Sequence, residues 1–198
     1  MVSTTLAIWK TGVLCPCLVL FALGVLGCSN GEGPADKLTA VFSFGNAKHL
    51  NELQSKNLMV KKNAIYYLGK KGEEKAVPLL IDLLDPNQPK NIRLTAVIAL
   101  GKIRQAASAD SLIRLLEAHD DDLRGEAIWA LGQIKEPKAI PRLARLMDDD
   151  KVRLTAIWAM GNIGDESAVP ILTTLLSHED KFVRHNAAQS LKKIGNAD

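Results

Sequence analysis

Thiols come first, because a thiolate can serve as nucleophile, metal ligand or acceptor of a lipid. The chain has three, Cys15, Cys17 and Cys28, and none follows Asn30. Everything after that point has no disulfide, no cysteine nucleophile and no thiolate metal site. The four histidines, His49, His119, His178 and His185, fall singly on separate elements and form no i,i+4 pair of the kind that holds zinc. They read as surface residues. The acidic runs His119-Asp120-Asp121-Asp122 and Asp148-Asp149-Asp150 invite a cation. Neither has the alternating ligands, central Gly and distal Glu of a calcium loop, and both read as capped helix turns. No Gly-rich phosphate loop follows a strand, and no Ser-His-Asp arrangement can be drawn. These residues assign no catalytic group, no metal and no cofactor, and the chain is expected not to be an enzyme.

A second group is a column of cations, Lys61, Arg93, Arg124, Arg153 and Arg184, recurring at nearly even spacing. Such a column can be read as a phosphate-binding ladder. Three of its members have an Asp four residues earlier: Asp120 before Arg124, Asp149 before Arg153, Asp180 before Arg184. An Asp there can cap a helix and pair with the Arg at once, which makes these six residues a structural turn ladder. The second copy carries a longer turn, residues 85–91, in place of the Asp.

The elements that must position these groups follow from composition and period. Of the 198 residues 47% are apolar and only 5% aromatic, so Leu, Ile, Val and Ala carry the core, the residues of helix-on-helix packing. The formal net charge is +3 with both signs interspersed, which leaves no electrostatic footprint for nucleic acid. One pattern recurs: apolar, basic, two variable, Ala, three variable, Leu, then usually Gly. Its five copies start at Val60, Ile92, Leu123, Val152 and Val183, spaced 32, 31, 29 and 31 residues apart. The Ala positions are Ala64, Ala96, Ala127, Ala156 and Ala187; the Leu positions are Leu68, Leu100, Leu131, Met160 and Leu191. At about 100° per residue, offsets 0, 4, 8 and 11 from each start fall within an arc of roughly 80°, the buried stripe of an amphipathic helix. Ala lets paired helices approach, and the Gly after Leu (Gly69, Gly101, Gly132, Gly161) is expected to turn the chain out of the helix. Second stretches at 76–84, 109–116, 139–147 and 168–176 supply partner helices, three with Pro near the start, where an unpaired amide costs nothing. A weaker helix over 47–56 partners the first copy. No hairpin can bury its stripe alone, so the units stack into an all-α solenoid of about five two-helix repeats over 46–195.

The first 31 residues have another character. Lys10 is their one charge, and an apolar run from Val13 to Leu26 ends at Gly27-Cys28-Ser29-Asn30. A basic start, an apolar middle and a small residue before the end are the parts of a signal peptide. The run is short of the roughly 20 residues a span needs. Val25-Leu26-Gly27-Cys28 resembles the lipobox of bacterial lipoproteins. The resemblance implies a signal peptide over 1–27, a lipid on Cys28, which becomes the new N-terminus, and an envelope location, the outer membrane facing the periplasm if the cell has one. An uncleaved anchor and ordinary secretion are the alternatives. Residues 28–45, with Ser29-Asn30-Gly31-Glu32-Gly33-Pro34 at their start, read as a flexible tether.

The segments from Leu123 to Met147 and from Val152 to Leu176 resemble HEAT repeats, and within them the short subfamily named after the phycobilisome lyases. The likeness covers about three quarters of the chain and implies the fold more than a function. In the fifth copy Lys192 stands for Gly and polar Gln189 and Ser190 precede Leu191, which suits a terminal cap. The resembled lyases act inside the cell, against which the export signal argues. Offsets 2 and 6 point about 155° to 165° from the buried stripe. They hold Tyr66, Leu94, Ile98, Trp129, Leu154 and Trp158, apolar where a solvated face is polar. In HEAT-like stacks this helix lines the concave surface. The row is therefore expected to hold a partner protein or peptide, with Trp129 and Trp158 as anchors. The competing account packs each Trp sideways against the next repeat. A spacer or assembly role in the envelope, and more remotely a lyase-like subunit, are the other functions.

Overall fold

A computed structural model describes residues 46–195; Cys28, the leader over 1–27 and the tether over 28–45 lie outside the described residues. Ten helices and no strand occur among them. A short α1 over 46–52 precedes α2 (Leu58–Lys71). Short helices then alternate with long ones: α3 (Val77–Asp82), α4 (Lys90–Ile103), α5 (Ala109–Leu115), α6 (Asp121–Ile134), α7 (Ile140–Ala144), α8 (Arg153–Ile163), α9 (Val169–Thr174) and α10 (Lys181–Ile194). The long helices pack one on the next in chain order, and each of α3, α5, α7 and α9 packs on the long helix that follows it. This is the all-α solenoid the repeat period demands.

Side-chain caps fix where three of the five long helices begin. Asn57 accepts from the amides of Met59 and Val60, Asp120 from those of Asp122 and Leu123, and Asp180 from that of Phe182. Each satisfies first-turn N–H groups that have no partner within the helix. The short helices are entered through single 3₁₀ turns, Glu74–Ala76, Ala106–Ser108, Pro137–Ala139 and Glu166–Ala168, and Pro78, Pro141 and Pro170 sit in the first turn of three of them.

The buried stripe lies where the period puts it. All five Ala positions are fully buried, as are Leu68, Leu100, Leu131 and Met160. It is also wider than one arc, because each inner helix has a neighbour on both sides. Ile65, Val97, Ile128 and Ile157 at offset 5 are fully buried, and so are Ala130 and Ala159 at offset 7.

The repeat glycines do something other than expected. Gly69, Gly101, Gly132 and Gly161 lie inside helices, not at their ends. A Cβ built on Gly101 would stand 2.9 Å from Cα and Cβ of Ala130, and one on Gly69 2.8 Å from those of Ala99. Gly132 meets Ala159 at 3.1 Å and Gly161 meets Ser190 at 2.6 Å. The glycine of each repeat thus receives the small residue at offset 7 of the next, and backbones touch along the seam. The exit falls three residues later, at Gly72, Arg104, Lys135 and Gly164, all left-handed with φ of 68°, 61°, 60° and 78°. In α10 Lys192 occupies the glycine position and is exposed. Ser190, buried at that last seam, donates to the Ile157 carbonyl at 3.0 Å.

Candidate partner-binding face

The long helices turn the predicted row of residues away from the short helices, but not equally. Tyr66 is 57% exposed and Leu154 41%, while Leu94, Ile98, Trp129 and Trp158 are half-buried, and Leu94, Trp129 and Trp158 pack against the core. Geometry accounts for the tryptophans: Cζ3 of Trp129 is 2.7 Å from a Cβ built on Gly101, and Cζ3 of Trp158 is 2.9 Å from one on Gly132. Each ring lays an edge over the glycine of the preceding repeat, so each Trp both seals a joint and shows part of its surface. The Lys102 ammonium stands 5.3 Å from the Tyr66 ring centre, within cation–π reach.

Between α4 and α6 the row opens into a groove of about 600 Å³. Leu94, Ile98 and Trp129 wall it, Gly125 floors it, and Asp122 and Glu126 edge it. A Cβ on Gly125 would meet nothing within 4 Å. The gap exists because this repeat has Gly where the others have Lys62, Leu94, Leu154 and His185. Gly125 and Glu126 were missed on the sequence, although a comparison of offset 2 across the five copies isolates the glycine. Burial, reinforced by the nearby Asp122 charge, pushes the Glu126 carboxyl above the ordinary glutamate value.

The cation column makes other bonds than the i,i+4 pairs expected for Asp120–Arg124, Asp149–Arg153 and Asp180–Arg184. Nε of Arg93 donates to the Leu84 carbonyl at 3.2 Å, Nε of Arg153 to that of Met147, and Arg184 to those of His178 and Glu179 at 2.6 Å. These carbonyls close the end of the preceding short helix or the turn after it, so the Arg ties the two halves of a repeat together. Arg124 differs: its Nε is buried without a partner, while its terminal nitrogens reach Asp121 and, in the next repeat, Asp149, both at 2.7 Å. Arg153 likewise pairs with Asp150, three residues back. Asp149 accepts instead from the Lys151 amide at 3.0 Å.

Ion pairs also cross between repeats. Lys90 reaches Asp120 and Asp122, both at 2.8 Å, and Lys151 reaches Asp121. The hydrogen bond from Lys90 holds the Asp120 carboxyl below its usual range, and those from Lys151 and Arg124 do the same to Asp121. The run at 119–122 thus supplies a cap and cross-repeat ties, whereas Asp149 and Asp150 pair with Arg124 and Arg153 and cap no helix, since α8 has Val152 at its N-cap without a side-chain bond. Among the described residues no group of three His, Cys, Asp or Glu side chains gathers as metal ligands would. Two histidines are less superficial than expected. His49 stacks on Tyr67 with centroids 4.0 Å apart, and the half-buried His178 ring accepts from the Asp180 amide at 3.0 Å.

Comparison with known proteins agrees with this architecture. The HEAT-repeat profile matches residues 86–151 and 148–198, and that of the PBS lyase HEAT-like repeat matches 60–86. No curated protein matches the chain in sequence. The complex of CpcE and CpcF of phycocyanin lyase from Nostoc sp. PCC7120 is similar in structure, with a TM-score of 0.64, 24% identity, and coverage of 86% of this chain and 68% of that one. A designed armadillo repeat protein in complex with the peptide (KR)4 is similar at a TM-score of 0.61 and 22% identity, over 82% of this chain and 87% of that one. The expectation that the chain is not an enzyme is corrected by the lyase-type repeat at 60–86 and the fold shared with a phycocyanin lyase complex. It rested on a search for nucleophiles and metal ligands, and their absence does not exclude a lyase-related role for a helical stack.

Proposed function

The chain belongs to the HEAT-repeat family, and from that membership we propose that it is a scaffold holding a partner protein or peptide on the open face of its long helices. The observation that carries this reading is the row Tyr66, Leu94, Ile98, Trp129, Leu154 and Trp158, which keeps apolar surface in contact with water across four successive repeats and borders a groove. Exposed apolar rows of this kind mark interaction sites, and Trp and Tyr dominate binding energies. The (KR)4 complex supports it in kind, as a peptide held by a stack of the same fold. Because Trp129 and Trp158 also seal joints, the clean test uses the exposed pair. Tyr66→Ala with Leu154→Ala should weaken capture of the partner from solubilised envelope while leaving helicity and melting unchanged; undiminished capture sinks the reading.

The same proposal places the scaffold at a bacterial envelope membrane through lipid on Cys28, with 28–45 as tether, on the strength of the apolar run closing at Gly27-Cys28. Each buried CH₂ of an acyl chain adds about 0.8 kcal/mol of membrane affinity. Mass spectrometry of the membrane fraction should find Cys28 acylated and no peptide from 1–27. An intact N-terminus refutes it.

A second reading, a subunit related to the phycobilisome lyases, is favoured by the profile match at 60–86. Incubation with apo-phycocyanin and free bilin decides it: covalent attachment above the no-protein control supports the role, and attachment equal to the control removes it.

A further inference from the structure

The groove between α4 and α6 combines three features that the rest of the open face does not. Its floor is a glycine whose missing side chain leaves open space, its walls are Leu94, Ile98 and the Trp129 ring, and its edge carries carboxylates. The carboxylates differ in what already neutralises them. Asp122 is held by Lys90, whereas Glu126 has no cationic partner among the described residues and faces Asp122, a like charge one turn away. Partial burial strips water from Glu126 without supplying a counter-charge, and its raised protonation range follows from those two causes. A cation arriving beside it would relieve both.

We propose that this groove is a side-chain pocket for a lysine or arginine of the bound partner. The aliphatic stem lies along Leu94 and Ile98 over Gly125, and the charged head sits between the Glu126 carboxylate and the Trp129 ring. Long cationic side chains are built for such a site, since their methylenes cover apolar surface while the head keeps polar and aromatic company. The occupant is therefore a peptide segment in which a basic residue stands among apolar ones. The proposal rests on the open-face reading above and deepens it by naming the chemistry of one contact.

The probes are three acetylated and amidated octapeptides that alternate Leu with Lys, Gln or Glu, titrated by calorimetry into the full chain and two variants. Gly125→Leu puts a side chain into the groove from a Cβ that meets nothing within 4 Å, and its unchanged circular dichroism is the check that the fold is kept. Glu126→Gln removes the charge and keeps the shape. The expected result is that the Lys peptide binds the unchanged protein most tightly and that Glu126→Gln weakens it about fivefold, roughly 1 kcal/mol by RT ln K. Gly125→Leu should weaken it at least about tenfold, and Glu126→Gln should leave the Gln peptide unaffected. Equal affinity of the three peptides, or indifference of the Lys peptide to both variants, overturns the cationic pocket. If in that case Tyr66→Ala with Leu154→Ala still weakens binding, the open-face reading survives. Binding of none of the three peptides to the unchanged protein also overturns the pocket.

Discussion

Replacing Gly101 by alanine sets two effects of opposite sign against each other. In a helix interior the exchange ordinarily stabilises by about 0.5–1 kcal/mol, because Gly loses more backbone freedom on folding and has the poorer helix propensity. At Gly101 the new methyl would stand 2.7 Å from Trp129 Cζ3 and 2.9 Å from Ala130 Cα and Cβ. The ring edge can rotate away, but the Ala130 backbone yields only if α4 and α6 separate. Overpacking of that kind costs about 1–3 kcal/mol, so the net change is a loss of up to about 2.5 kcal/mol. Gly125 supplies the matched control: it too lies within a long helix, and its Cβ meets nothing within 4 Å. Gly125→Ala should therefore stabilise by about 0.5–1 kcal/mol. Urea unfolding followed by circular dichroism reads both, with midpoints moving in opposite directions at unchanged slope. Ala130→Gly introduced beside Gly101→Ala should return part of the loss by reopening the seam. If Gly101→Ala raises the midpoint as much as Gly125→Ala, the seam contact does not exist and the stacking of the long helices is wrong.

Two further outcomes follow from the exit turns and the ion pairs. Lys135 is left-handed at φ 60°, and its side chain enters no ion pair among the described residues, so Lys135→Gly should relieve strain and raise stability by about 0.5–1 kcal/mol. Unchanged or lowered stability refutes that. Asp120 and Asp121 are held below 3.8, so their pairs contribute fully above the unfolded-chain value and are lost as pH falls through the lower folded values. Glu126, held above 4.5, acts in the opposite sense: its charge penalises the fold increasingly as pH rises from 4.5 through the raised folded value. Glu126→Gln should therefore raise stability at pH 7 and not at pH 3; side-chain NMR titration of the three carboxyls checks the order, and Glu126 titrating below Asp121 contradicts it.

The fold was readable because helix period and repeat period reinforce each other. Ala64, Ala96, Ala127, Ala156 and Ala187 recur at one offset, and burying them requires a neighbour on the next repeat. The glycine role was not readable, because Gly one residue after Leu looks like a helix end until the neighbour that fills its space is seen. The true exits at Arg104 and Lys135 carry no glycine to announce them. The Arg93, Arg153 and Arg184 bonds to carbonyls five to nine residues back follow no i,i+4 spacing, so an i,i+4 pattern passes over them. On the open face, position was legible and depth was not. The angle that points Trp129 outward says nothing of the glycine beneath its ring, and Glu126 matters only through the gap that Gly125 leaves.

The seam also governs how the molecule can lengthen. A stack of like units is an open-ended arrangement, and one whose ends match would add copies of itself into a filament. Here each joint is keyed by Gly on one side and a small residue on the other, and the terminal units break the key. Lys192 offers a long charged side chain where a follower would need a glycine. At the other end Tyr67, in the place of the small residue, is stacked beneath His49. Neither end of the described stack repeats the glycine key, whereas duplicating one internal unit of about 31 residues would carry a matched key at each new joint. Such a molecule gains reach by insertion within itself.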